Sequence, residues 1–314
     1  MRPDELFEQY APEPFADFGD PAVLASFRRA LDLVRGQLGR DYPLVIGAEQ
    51  VETGSWLEST DPCDPARVVG RAAMGDAAHV ERALDAAWEA FGPWARSSME
   101  ERARYLVKLA AVMRRRREEL AAWLVFEASK NYLEAIADVA EAIDFCEYYA
   151  RESLLLAGPA RTYHYPGEEN TSFYQPIGAG VVIPPWNFLL AILVGTAVAP
   201  VVVGNTVVVK PSPSTPIIAS VFMHCVAEAG FPPGVINLLT GADADLGDAL
   251  VDHPRTRFVN FTGSVTTGLR INERAAKVNP GQKWLKRVFL EMGGKDALIV
   301  DETADPAMAA AAAV

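Results

Sequence analysis

The chain is poor in the residues that announce metal or disulfide chemistry. Its three cysteines, Cys63, Cys146 and Cys225, are far apart and form no CxxC pair. An odd, scattered set excludes a disulfide framework and fits a reducing compartment. The four histidines (His79, His164, His224, His253) are equally dispersed. With no HExxH and no Cys/His spacing for zinc, no metal ligand is named. Cations are in deficit: 29 Lys and Arg against 41 Asp and Glu give a net charge of −12. A grip on nucleic acid needs clustered cations, so that partner is not expected. The basic run Arg114–Arg117 is followed at once by Glu118 and Glu119 and reads as a solvated helix end.

Long apolar runs are also missing. Phe188 to Val203 is apolar but sixteen residues long, short of the ~20 needed to span a bilayer. Pro200 and the β-branched residues after it point to a buried helix feeding a buried strand. The first eight residues are acidic and lack an apolar core, so no signal peptide is visible and a cytoplasmic location is expected. Three motif searches fail. Gly178-Ala-Gly180 enters a strand and does not open a helix, Gly294-Lys295 is followed by Asp296, and no GxSxG is present. A Rossmann fingerprint, a P-loop and a nucleophile elbow are thereby set aside.

What is present is a large apolar fraction, 50% of 314 residues with 22% charged, enough for roughly two domains. The first half reads as helical. Pro21 to Gln37 is amphipathic, and so is Ala77 to Phe91, ended by Gly92-Pro93. Ser98 and Glu101 form a capping box opening a long helix. Trp123 to Arg151 continues in helical period with Leu133, Ile136, Val139, Ile143 and Cys146 as its stripe. Alternation with a turn at Pro166-Gly167 predicts a β-hairpin within 158–177.

From Gly178 the pattern becomes strand, helix, strand, helix. Strands are expected at 180–183, 206–210, 234–239, 258–261, 288–290 and 297–300. Helices are expected at 187–202, 215–229, 244–251 and 264–276. This is an α/β fold with a parallel sheet and flanking helices. Such sheets present ligand groups at the C-terminal strand ends. Here those ends carry Pro184-Pro-Trp-Asn187, Lys210-Pro-Ser-Pro213, Thr240-Gly241 and Thr262-Gly-Ser264. Gly263-Ser264, with Gly268 one turn on, is the best pyrophosphate cradle. Taken singly, each is an ordinary strand-to-helix turn, Asn187 a helix N-cap and Glu291 a strand-end carboxylate.

Taken in order, Pro185-Trp-Asn187-Phe, Lys210-Pro, Ala229-Gly-Phe-Pro-Pro-Gly-Val-Ile-Asn237, Phe261-Thr-Gly-Ser264 and Glu291-Met-Gly-Gly-Lys295 resemble the aldehyde dehydrogenase superfamily. The resemblance runs from about residue 45 to the end. Asp138-Val-Ala-Glu-Ala-Ile-Asp-Phe145, His253-Pro-Arg-Thr-Arg-Phe258, the insert Lys277–Arg287 and Gly294-Lys-Asp-Ala297 are most like the glutamate γ-semialdehyde (1-pyrroline-5-carboxylate) dehydrogenase branch. The resemblance implies an aldehyde-dehydrogenase-like Rossmann-type fold with a helical N-terminal region and a hairpin used for oligomerisation. Residues 1–289 would form the N-terminal and cofactor-binding domain, and 290–314 the start of a truncated catalytic domain.

The reaction so implied is NAD-dependent oxidation of L-glutamate γ-semialdehyde to glutamate in proline catabolism, through a cysteine thioester. Asn187 matches the family's oxyanion-hole donor and Glu291 its general base. Ile183, Pro184, Pro185, Trp186, Lys210, Ser212, Gly247, Gly263, Ser264, Met292 and Gly293 match cofactor-lining positions. Glu141 and Phe188 match the substrate end of the site. Two departures are seen. Pro213 stands where many members have a ribose-binding glutamate, which opens the site to NADP, and Leu189 replaces a proline. The nucleophilic cysteine is expected beyond Val314, since none of the three cysteines occupies its place. The uncapped helix after Asp305 fits an N-terminal part of a longer, homo-oligomeric protein. Alternatives are a catalytically incomplete dinucleotide-binding fragment or pseudoenzyme, and a dehydrogenase of another aldehyde.

Overall fold

A computed structural model describes residues 7–158, 162–241 and 246–313. The first helix, α1 (Pro21–Arg35), starts where Asp20 accepts the Ala22 N–H at 2.8 Å and Pro21 needs no partner for a missing N–H. Five strands follow: β1 (Arg40–Tyr42), β2 (Leu44–Ile46), β3 (Glu49–Val51), β4 (Trp56–Asp61) and β5 (Asp64–Ala73). Reading the first half as helical therefore misses residues 40–73. Strands such as Arg-Asp-Tyr and Glu-Gln-Val are short, polar and half exposed. They are strands because of their partners, Arg40 opposite Gly70 thirty residues on, and Val51 opposite Leu44 across the β2–β3 hairpin. Strand structure of this kind depends on context more than on composition.

Four helices come next: α2 (Ala77–Arg96), α3 (Met99–Arg115), α4 (Arg117–Ala128) and α5 (Tyr132–Leu155). α2 runs through Gly92-Pro93, where a stop was expected. Trp94, 3% exposed, donates its indole N–H to the Val201 carbonyl at 2.9 Å and holds the last turn in the core. The Ser98 cap forms, accepting the Glu101 N–H at 3.1 Å. Leu133, placed on the apolar stripe, is 53% exposed. It lies in the first turn of α5, ahead of the packed region. Residues 162–177 contain the turn at Pro166-Gly167, and Thr162 reaches the Asn170 carbonyl at 2.7 Å, but no strand is present among them. The arms are exposed, and a two-stranded ribbon with no face to pack is marginal in water. Residues 159–161 of the expected hairpin lie outside the described residues.

The remainder alternates as expected: β6 (Ala179–Ile183), α6 (Ala191–Val202), β7 (Thr206–Val209), α7 (Pro216–Glu228), β8 (Ile236–Leu238), α8 (Asp248–Asp252), β9 (Phe258–Thr262), α9 (Val265–Ala275), β10 (Arg287–Glu291) and α10 (Pro306–Ala313). The beginning of the helix expected from Ala244 lies outside the described residues. The apolar run 188–203 is indeed a buried helix, twelve residues in α6. Among the described residues no helix is long and apolar enough to cross a membrane. Residues 297–300, expected as a strand, are exposed and have no ladder partner among the described residues.

The main sheet has the order β10-β9-β6-β7-β8-β2-β3. Its β10-to-β8 part is parallel, and β2 and β3 add antiparallel to its edge. The sheet is therefore mixed, not purely parallel. A second sheet, β1-β5-β4, stands apart from it. The largest core lies among α1, α3 to α7 and the sheet, with Phe27, Trp123 and Met113 fully buried. A small cluster of Val259, Phe261 and Ile271 seats α9 on the sheet. The insert is pinned by Trp284, which stacks on Trp88 and lies under the Arg257 guanidinium.

Candidate active site

The chain moves from β6 through β7 to β8 on one side of the sheet, then returns to β9 on the other side of β6. The C-terminal ends of β6 and β9 therefore mark a topological switch, where loops diverge and leave a crevice. A cleft of about 680 Å3 occupies that place, within the usual range for small-molecule and cofactor pockets. Every residue expected at the cofactor lines it. The end of β6 contributes Ile183, Pro184, Pro185, Trp186 and also Asn187. The end of β7 contributes Lys210 and Ser212, and the turn before α8 contributes Gly247. Gly263 and Ser264 come from the β9–α9 turn, and Met292 and Gly293 follow β10.

Local chemistry explains the shape. Ser264 caps α9, accepting the Thr267 N–H at 3.2 Å and donating to the Thr267 hydroxyl at 2.9 Å. The N-terminus of α9 thus borders the cleft, with Ser264, Val265 and Thr267 in its lining, a place suited to an anion. A Cβ at Gly263 would lie 2.6 Å from the Phe261 ring, so only glycine lets the backbone run this close to the cleft floor. Lys210 is 1% exposed, its stem buried and its ammonium 3.4 Å from the Pro211 carbonyl. On the rim Arg270 forms a forked ion pair with Asp248.

Three expected residues fall outside this lining. Glu291 ends β10 with its side chain exposed, and its carbonyl accepts the Gly263 N–H at 3.0 Å. Phe188, 45% exposed, lies beneath the Lys130 ammonium at 4.5 Å. Glu141 is half-buried in α5, where burial, helped by the neighbouring Asp138, holds its carboxyl above the usual range. Asn187 is not a helix N-cap, since α6 starts only at Ala191. The residue ahead of that start, Leu190, has no side chain able to cap.

The missing caps reveal two residues that sequence reasoning overlooked. Neither α6 nor α7 has a side-chain cap of its own. Asp138, 1% exposed, supplies one for α6: its Oδ1 accepts the Ala191 N–H at 2.6 Å and its Oδ2 takes the Lys130 ammonium at 2.7 Å. Burial pushes its carboxyl pKa up, with Lys130 opposing the shift. Glu127, 2% exposed, supplies one for α7, accepting the Ile217 and Ile218 N–H groups at 2.7 and 2.8 Å and the Ser59 hydroxyl at 3.2 Å. Burial raises its pKa to about 7. These carboxylates anchor the helices that follow the Asn187 and Lys210 loops. The signal was legible: Glu127 ends the apolar run Leu120–Phe126, and Asp138 falls between Ile136 and Val139 on an apolar stripe. A carboxylate on a buried face needs a partner.

None of the cysteines lines the cleft. Cys146 and Cys225 are buried, with thiol pKa values pushed up by burial, and Cys63 is exposed in the β4–β5 turn.

Comparison with known proteins agrees with this architecture. A profile of the aldehyde dehydrogenase family matches residues 49–314. The chain is 52% identical over 305 residues to a 1-pyrroline-5-carboxylate dehydrogenase of Geobacillus thermodenitrificans, covering 97% of this chain and 59% of that protein. It is 52% identical over 301 residues to 1-pyrroline-5-carboxylate dehydrogenase 2 of Bacillus subtilis, covering 96% and 58%. Among solved structures, the 1-pyrroline-5-carboxylate dehydrogenase from Thermus with bound NAD superposes with a TM-score of 0.93 at 51% identity, over 95% of this chain and 58% of that one. The Δ-pyrroline-5-carboxylate dehydrogenase of Mycobacterium tuberculosis superposes with a TM-score of 0.82 at 30% identity, over 91% and 53%. The chain thus spans about three-fifths of the length of the curated relatives it matches. With the ordered motifs, the switch-point cleft and the family match in hand, the chain belongs to the aldehyde dehydrogenase family.

Proposed function

We propose that this chain is the dinucleotide-binding part of an NAD-dependent dehydrogenase that oxidises L-glutamate γ-semialdehyde to L-glutamate. The observation that carries the reading is the cleft, which gathers residues from four strand ends and the turn before α8 beside one helix N-terminus. Its residues fit the cofactor. Gly263 and Ser264 with the first turn of α9 suit a pyrophosphate, Lys210 and Ser212 an adenosine ribose, and Pro185 to Asn187 the reacting end. NAD supplies the hydride acceptor. Pro213 puts no carboxylate at that position to repel a 2′-phosphate, which leaves the site open to NADP as an alternative.

In this reading the Asn187 side-chain amide donates to the oxyanion that develops on the aldehyde oxygen, a neutral donor needing no counter-charge. Glu291 takes a proton from the water that releases the acid. Glu141 pairs with the substrate α-ammonium, relieving a carboxyl that burial and Asp138 disfavour in its charged form. Phe188 walls the aliphatic path. The thiolate is supplied from the length of the relatives that this chain does not cover, with the catalytic domain beginning near residue 290. Taken by itself, the chain is then a binding unit without turnover, a reading favoured by the absence of any cysteine from the cleft lining. Exposed Tyr163, Tyr165, Phe173 and Tyr174 support an oligomer built through residues 162–177. Free thiols suit the cytoplasm. The experiment compares NAD reduction with glutamate γ-semialdehyde and with straight-chain alkanals, using a protein of the relatives' full length that carries this chain. A marked preference for the semialdehyde is expected, and equal efficiency would overturn the substrate.

A further inference from the structure

The link between α4 and α5 is three residues long, and two features make it costly. Ser129 sits in the left-handed region with φ 53°, a conformation that disfavours any side chain with a Cβ. Its hydroxyl is buried with no hydrogen-bond partner among the described residues. Strain of this kind persists when the surroundings dictate a position. What the link puts in place is Lys130. The Lys130 side chain is 12% exposed and that of its partner Asp138 is 0%. One side of the ammonium meets Asp138 at 2.7 Å, and another faces the Phe188 ring, 4.5 Å from its centre.

These contacts close a circuit. Asp138 binds the Ala191 N–H with one oxygen and Lys130 with the other. Lys130 lies on Phe188, and the Phe188 carbonyl accepts the Ile192 N–H at 3.1 Å. The segment between Phe188 and Ala191 is therefore held from both ends by one buried ion pair. Its neighbour on the other side is Asn187, which lines the cleft. An exposed ion pair would add little, but a desolvated ammonium over an aromatic face is attracted strongly.

We propose that Lys130 is a positioning residue: held by Asp138, its ammonium clamps Phe188 and thereby fixes the Asn187 peptide at the rim of the cleft. The consequence for catalysis rests on the role proposed above for Asn187. The clamp itself is a property of residues 187–192 and is measured without turnover.

The test is amide hydrogen exchange read residue by residue by NMR on this chain. Lys130→Met keeps the aliphatic stem and removes the charge. Exchange at Ile192 should rise by roughly tenfold, while the β6 and β7 amides stay unchanged. Lys130→Arg keeps a cation able to stack and to pair with Asp138, and should restore the protection. Phe188→Leu removes a half-exposed ring. It should raise exchange at Ile192, leave Ala191 protected by Asp138, and abolish the ring-current shift of the Lys130 ε-protons. Unchanged exchange at Ile192 in Lys130→Met and in Phe188→Leu overturns the clamp. So does failure of Lys130→Arg to rescue. Should Lys130→Met not fold, Phe188→Leu alone decides. Titration of the same proteins with NAD separates the two claims. No NAD binding by the parent, with the exchange pattern as expected, refutes the cofactor reading and leaves the clamp standing.

Discussion

Replacing Glu127 with glutamine perturbs the anchor of α7 and has a pH signature that can be worked out in advance. Glu127 is fully buried, and its pKa rises from 4.5 to about 7 in the folded chain. Between those values the folded state keeps a proton that the unfolded state has released. Folding stability must therefore fall as pH rises through that window, by about 3 kcal/mol in all. Glutamine does not titrate and loses this slope. It also has only one acceptor oxygen, whereas Glu127 uses both, Oε1 for Ile217 and Ser59 and Oε2 for Ile218. In the protonated parent the hydroxyl oxygen can still accept, whereas the glutamine amide N–H would face a backbone N–H, which costs about 1–3 kcal/mol. The variant should thus be less stable than the parent by that amount near pH 5. The gap should close or reverse by about pH 8. Urea unfolding of both proteins across this range measures it, and other titrating groups cancel in the difference. A stability gap that stays constant with pH would refute the reasoning.

Further outcomes follow from the same contacts. Ser129→Gly relieves the left-handed backbone and the unpartnered hydroxyl. Urea unfolding should show a gain of about 1 kcal/mol after the entropy cost of glycine. Asp138→Ala leaves Lys130 and the Ala191 N–H without their shared acceptor. A loss of about 3–5 kcal/mol is expected, and Asp138→Asn, which can still accept from Ala191, should lose less in the same assay. Gly263→Ala brings a Cβ to 2.6 Å from the Phe261 ring. Calorimetry should show NAD binding weakened by roughly tenfold or more as the cleft floor shifts.

How much of this could be read in advance differs along the chain. The strands at 179–183, 206–209 and 258–262 were legible, because each is a short apolar run followed by a helix of clear period. Their loops were legible too, and the residues assigned to the cofactor converge on one cleft. The strands at 40–73 were not, because Arg40–Tyr42 gains its structure from Gly70–Ala72 and not from its own residues. Pro93 misled for a related reason, the packing of Trp94 outweighing a local stop signal. The hairpin expected within 158–177 carries the right alternation and residues 297–300 are a short apolar run, but in the described residues no strand pairs with them. Asp138 and Glu127 sit on helices, and the helix starts they cap lie 53 and 90 residues away, a distance no local pattern encodes.

The central claim is that the cleft at the end of β6 and β9 holds a dinucleotide, and calorimetric titration of this chain with NAD addresses it most directly. The account predicts saturable one-to-one binding. Lys210→Ala should weaken it by roughly tenfold or more, while its urea midpoint shows that the fold persists. Absence of saturation, or an affinity indifferent to Lys210→Ala and to Gly263→Ala alike, would contradict it.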